Sequence, residues 1–225
     1  MKLRVPLKML SGPTPPFEVS RADAAVLVMD VQDFTTREDQ GLGRLAGERG
    51  ILREFEEYYL QVEAAIRNLQ GLLDVSREHG LEVLYTLLHA ERTDRTDLSR
   101  QLRVAGWPVP ARDPLEEIRP EVSPLAGDLV LPRGTYSAFA GTDLLNILER
   151  GQIKTLILAG MLANTTVALT AQEAADRGFG VVMVWDASAS ETLDWHDNMK
   201  TRLVGPLVRL RTAKQVMEMM KGART

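Results

Sequence analysis

The chain has 225 residues, enough for one α/β domain with a full sheet covered on both faces. A composition of 44% hydrophobic and 26% charged residues with a formal charge of −4 reads as a soluble globular protein and argues against a general nucleic-acid binder. No apolar run approaches the ~20 residues that span a bilayer, and the absence of cysteine excludes disulfides, thiolate metal ligands and a cysteine nucleophile.

The opening MKLRVPLKMLSGPTPP scatters its positive charges around no clean apolar core. It is a poor signal peptide, so a cytoplasmic location is the default expectation. Pro6, Pro13, Pro15 and Pro16 exclude helix and Gly12 adds a turn. Residues 1–20 are therefore predicted as an extended N-terminal arm and residues 21–225 as the domain. Arms of this kind pack across a neighbouring surface or subunit, and a homo-oligomer (dimer or tetramer) is expected.

The first buried strand is predicted at residues 24–29, a continuous apolar run that ends at Asp30. A carboxylate there stands where open α/β sheets hold their ligands; a helix cap or the partner of a structural arginine is the alternative. Residues 35–50, polar and rich in glycine, read as a mobile loop near the site. Phe55, Tyr59, Val62, Ile66, Leu69 and Leu73 alternate spacings of four and three, which predicts a helix with one apolar face, closed by Gly80. A second strand is predicted over 81–88, ending at His89, with no neighbouring ligands at metal spacing.

Residues 91–124 read as a long charged excursion in which Trp107 either walls a pocket or anchors the loop. Further strands are predicted at 128–131, 155–159, 180–185 and 207–210, with helices from Thr142 to Gly151, from Val167 to Gly178, around 195–203 and from Thr212 towards Gly222. The pattern is a single-domain, six-stranded parallel sheet with helices on both faces. Gly160 breaks the fourth run, and the turn at 160–166 is expected to present unpaired amides at a helix start. Such a corner is either an ordinary loop or an oxyanion site.

Three segments together are similar to the isochorismatase-like hydrolase family, also called the cysteine hydrolases. They are AAVLVMDVQDF (24–34), LPRGTYSAFAGTDLLNILERGQIKTLILAG (131–160) and GMLANTTVALTAQEAADRGFGVVMVWDASAS (160–190). The resemblance implies a base at Asp30, a lysine at the position of Arg133 and a cysteine nucleophile at the position of Thr166. The chain departs from the family at the last two, and it matches neither the cysteine branch nor the cysteine-less branch that keeps the lysine. After Asp30 it also lacks the zinc-binding Asp/His set of the family's nicotinamidase members. The resemblance further implies a cis peptide between Met161 and Leu162.

Arginine cannot serve as the base, because it stays protonated. It can clamp a carboxylate or stabilise developing negative charge, and beside it Asp30 is favoured as base over acid. Threonine is a weak nucleophile without an activating base. The expected catalytic set is Asp30, Arg133 and Thr166, with Thr166 capping or contacting substrate. Gln32, Phe34, Met161, Leu162, Ala163 and Thr165 are expected around a small carboxylate- or amide-bearing substrate, with amides near 163–166 as oxyanion donors. No metal, cofactor, nucleic acid or membrane partner is expected. The alternative is a binding or regulatory protein that has lost the nucleophile on the same scaffold.

Overall fold

The computed structural model describes residues 19–192, 194, 198 and 207–222. Most of the expected arm and of the helix expected around 195–203 lies outside the described residues. Six strands, β1 (Ala24–Met29), β2 (Glu82–Leu88), β3 (Leu129–Arg133), β4 (Thr155–Met161), β5 (Gly180–Ala189) and β6 (Val208–Arg211), form one sheet in the order β3-β2-β1-β4-β5-β6. Every pairing is parallel. The helices are α1 (Gly41–Glu48), α2 (Glu56–Glu78), α3 (Arg100–Ala105), α4 (Leu144–Arg150), α5 (Ala168–Asp176) and α6 (Ala213–Gly222). Among the described residues no helix is long and apolar enough to cross a membrane.

The alternation of side chains along β1 divides the core into two layers. Val26 and Val28 meet Val62, Ile66 and Leu69 of α2 and Val216 of α6. Ala25, Leu27 and Met29 face the opposite way, onto Leu144 and Leu148 of α4 and Ala171 and Ala174 of α5. The predicted apolar face of α2 is the buried one, with Tyr58, Ala65 and Leu72 added to it. Each such leucine withdrawn from water stabilises the fold by about 2 kcal/mol before chain entropy is counted.

Three local readings are corrected. Residues 35–50 are not a loop: Asp33–Thr36 makes a helical turn and α1 follows, packed through Leu42 and Ala46. Gly41 misled because it serves close approach, not flexibility. At φ +44 a Cβ there would lie 2.1 Å from the Phe34 carbonyl oxygen. Gly160 does not end β4, which runs on to Met161. Its φ is +129, and a Cβ would lie 2.0 Å from the Met29 carbonyl oxygen, so glycine permits β1 and β4 to pair there. The strand predicted at 180–185 likewise does not stop there: β5 continues to Ala189 after a register shift opposite β4. The 91–124 excursion holds α3, started by the Ser99 hydroxyl accepting from the Leu102 amide and stopped by Gly106 at φ +67.

Candidate active site

The strand order reverses between β1, whose next strand is β2, and β4 on its other side, which opens the crevice where such sheets bind ligands. The register sets Met29 opposite Gly160, so Asp30 and the segment from Met161 emerge side by side. Asp30 has a left-handed backbone, φ +53, which aspartate tolerates better than most residues. Its amide donates to the Thr86 carbonyl at 2.9 Å and its carbonyl accepts from the Thr35 hydroxyl at 2.5 Å. These bonds hold the turn that aims the carboxylate.

Arg133, the last residue of β3, reaches across β2 and grips that carboxylate with both ends of its fork. Its Nη1 donates to Oδ1 at 2.6 Å and its Nη2 to Oδ2 at 2.8 Å, and both side chains are 0% exposed. Nη2 also donates to the Tyr136 carbonyl at 3.2 Å. The loop after Arg133 is pinned to α5: the Ala138 amide donates to the Thr170 hydroxyl at 3.1 Å, and the Ser137 hydroxyl donates to the Glu173 carboxylate. A bidentate arginine–carboxylate pair sealed from water is thus built on three strands and a helix.

At the end of β4 the Met161–Leu162 peptide is cis, and one turn of π-helix, Ala163–Val167, leads into α5. Thr166 is fully buried and its hydroxyl donates to the Met161 carbonyl at 2.8 Å. The hydroxyl therefore ties down the turn. The Thr165 amide donates to the Leu162 carbonyl at 3.1 Å, which removes it from the expected oxyanion set.

The expected substrate contacts divide. Gln32 is fully buried and its side-chain amide brackets Leu88, accepting from the Leu88 amide at 2.8 Å and donating to the Leu88 carbonyl at 3.0 Å. It extends the β2 ladder, and both ends of its side-chain amide are engaged there. Phe34, Met161 and Ala163 lie in the core. Thr165 has a buried hydroxyl without a partner, and Leu162 lines a cavity.

That cavity, about 320 Å³, is walled by Phe55, Tyr58, Trp107 and Leu162, with residues of α1 and with Arg49, Glu54 and Glu191 adding charge. Of the two readings of Trp107, the pocket wall is the observed one, and its ring packs on Tyr136 with centroids 5.6 Å apart. Tyr136 supplies the carbonyl that Arg133 holds, which links the wall to the buried pair. The Tyr58 hydroxyl donates to the Thr35 carbonyl at 2.8 Å. Burial first, then the charges of Tyr59, Asp30 and Glu191, pushes the Tyr58 phenol well above its ordinary value, so it stays a neutral donor. His89 keeps company with a separate cavity of about 220 Å³, its backbone amide donating to the Arg133 carbonyl at 2.9 Å.

Sequence reasoning missed Glu191, Arg49 and Tyr58. The β5 run looked complete at Trp185, and nothing in the sequence set Glu191 apart from its neighbours. The only signal for Tyr58 was its place beside Tyr59 on the helix face.

A doubly wound parallel sheet with a carboxylate–guanidinium pair at its switch point defines an α/β protein of the class whose ligand sites lie beyond the carboxyl ends of the strands. The chain belongs to the isochorismatase family: the family's isochorismatase domain matches residues 24–215. It is 29% identical over 182 residues to enterobactin synthase component B of Escherichia coli (strain K12), covering 80% of this chain and 56% of that protein. This chain thus spans about half the length of that relative. It is also 29% identical over 138 residues to the maleamate amidohydrolase of Pseudomonas putida, covering 60% of this chain and 65% of that one. The crystal structure of a cysteine hydrolase from Pseudomonas syringae pv. phaseolicola shares the fold, with a TM-score of 0.74 at 20% identity over 94% of this chain and 98% of that chain.

Proposed function

We propose that the chain is a hydrolase of a small amide- or carboxylate-bearing metabolite that works by Asp30-assisted attack of water, without a covalent intermediate. The observation that supports it most is the Asp30–Arg133 pair at the switch point, linked through Tyr136 and Trp107 to the wall of a ligand-sized cavity. Asp30 keeps a free lone pair on each oxygen after binding Arg133. It takes a proton from water as the water oxygen bonds to the substrate carbon, and it returns the proton to the leaving group as the scissile bond breaks. Arg133 holds the carboxylate in line and stabilises charge as it develops.

Thr166 has no part in bond-making on this reading, because its proton already serves the Met161 carbonyl. Its role, with that of the Ala163 turn, is to shape the floor. The relative named a maleamate amidohydrolase supports an amide as the scissile group. The reading includes a cytoplasmic homo-oligomer, which light scattering and cell fractionation would check.

A specific observation favours a second reading, a binding or regulatory protein: Asp30, Arg133 and Thr166 are buried in this state, so water reaches Asp30 only if the wall opens. A panel of amides, ureides and vinyl ethers, scored for both hydrolysis and binding on the folded protein, separates the two. Hydrolysis of any member supports the hydrolase. Binding without hydrolysis across the panel would transfer the case to the second reading.

A further inference from the structure

The cavity beside the buried pair carries a carboxylate that no other group among the described residues uses. Glu191 lies just beyond β5, half-buried, and lines the cavity with Phe55, Tyr58, Trp107 and Leu162. Among the described residues it has neither a hydrogen-bond nor an ion-pair partner, in contrast to Asp30, each of whose oxygens accepts a hydrogen bond from Arg133.

Its position is built from α2. The Gln61 side chain donates to the Ser190 carbonyl at 3.2 Å and accepts from the Ser190 amide at 3.4 Å, bracketing the residue immediately before it. At the start of the same helix, Tyr58 meets Phe55, the residue that caps it, edge to face with centroids 6.3 Å apart. The helix and its cap therefore supply two of the aromatic walls and the clamp that sets Glu191 beside them. The nearness of Glu191 also shows electrostatically. After burial, its charge is the next cause that raises the Tyr136 phenol, and it contributes at Tyr58 too.

Two independent features of this cavity select the same ligand chemistry. Aromatic faces carry negative quadrupole density and attract a cation, more strongly as water is excluded. Among the described residues the charged lining is one guanidinium, Arg49, against two carboxylates, Glu54 and Glu191, a balance that is negative. Among the described lining residues an anionic ligand would meet repulsion from both carboxylates, the half-buried Glu191 foremost, against the single exposed guanidinium of Arg49.

We propose that this cavity binds a flat, largely apolar molecule bearing one cationic nitrogen group, and that Glu191 is the residue that determines this specificity by pairing with that group. The ring lies among Phe55, Tyr58 and Trp107, and the ammonium or amidinium points at the Glu191 carboxylate. This rests on the reading that the cavity is the ligand site, and it narrows the substrate class from amide or carboxylate to a molecule that is cationic outside its scissile bond.

The test is a charge series of one shape, benzamidinium, benzamide and benzoate, titrated calorimetrically into the full-length protein at low salt. The expected order is benzamidinium, then benzamide, then benzoate, with about tenfold or more between the first and last, as a charged hydrogen bond supplies. Glu191→Gln should weaken benzamidinium about tenfold and leave benzamide unchanged. Benzoate binding as well as benzamidinium, no binding of any of the three, or benzamidinium binding untouched in Glu191→Gln would each overturn the proposal. If Glu191→Gln does not fold, the wild-type order decides alone. The readout needs no turnover: cation preference without hydrolysis anywhere leaves this inference standing and sinks the hydrolase reading, while hydrolysis without cation preference does the reverse.

Discussion

Substituting Asp30 by asparagine changes charge while sparing conformation, since asparagine accepts the left-handed φ of +53 as readily as aspartate does. What it leaves behind is the Arg133 guanidinium, 0% exposed, with its two charge-assisted bonds of 2.6 and 2.8 Å replaced by bonds to a neutral amide. Breaking one side of a buried ion pair costs about 3–5 kcal/mol. For a chain of this size, each kcal/mol moves the midpoint by about 2–4 °C, so Asp30→Asn should melt roughly 6–20 °C below wild type. Arg133→Met should lose a similar amount, plus about 1 kcal/mol for the abandoned Tyr136 carbonyl. The double variant should be more stable than the sum of the single losses implies, by at least about 2 kcal/mol, because no uncompensated charge remains. Urea denaturation of the four proteins measures this coupling directly. Strict additivity, or an Asp30→Asn loss under about 1 kcal/mol, would refute the reasoning that the pair is sealed from water.

Three further outcomes are expected. Thr166→Ala should keep most of any hydrolytic activity while losing about 1 kcal/mol of stability with the bond to the Met161 carbonyl; abolished turnover in a folded variant would make Thr166 a reactant. Gly160→Ala should cost at least about 3 kcal/mol in urea denaturation, because its Cβ would fall 2.0 Å from the Met29 carbonyl oxygen at φ +129; a loss below about 1 kcal/mol would show that β1 and β4 can part there freely. Glu121 is held below the ordinary carboxylate range, chiefly by its hydrogen bond from Arg119. A depressed carboxylate contributes stability above its unfolded value and loses it as pH falls through the folded value. Glu121→Gln should therefore flatten the acid-side fall in melting temperature, and an unchanged slope would contradict the assignment.

The strands were legible because a doubly covered parallel sheet demands continuous apolar runs, and 24–29 and 155–159 are such runs. Asp30 follows the first of these runs, whereas Arg133 ends β3, whose predicted span of 128–131 stops two residues short of it. Glycines were read less well. Gly41 and Gly160 serve close backbone approach, which looks in sequence like a loop or a stop. Gln32 is polar beside the site in sequence, yet its amide completes a backbone ladder, a distinction that needs the position of Leu88. Glu191 was hidden for a similar reason. Its place depends on Gln61, a residue 129 positions from Ser190 in the chain, and no local pattern carries that contact.

The central claim, that Asp30 activates water for hydrolysis, is tested most directly by initial rates on a hydrolysed amide from the panel. Wild type and Asp30→Asn are compared at a temperature where circular dichroism shows both folded. Loss of general-base assistance should lower the rate by about a hundredfold or more in Asp30→Asn. A folded Asp30→Asn that hydrolyses at the wild-type rate would contradict the claim.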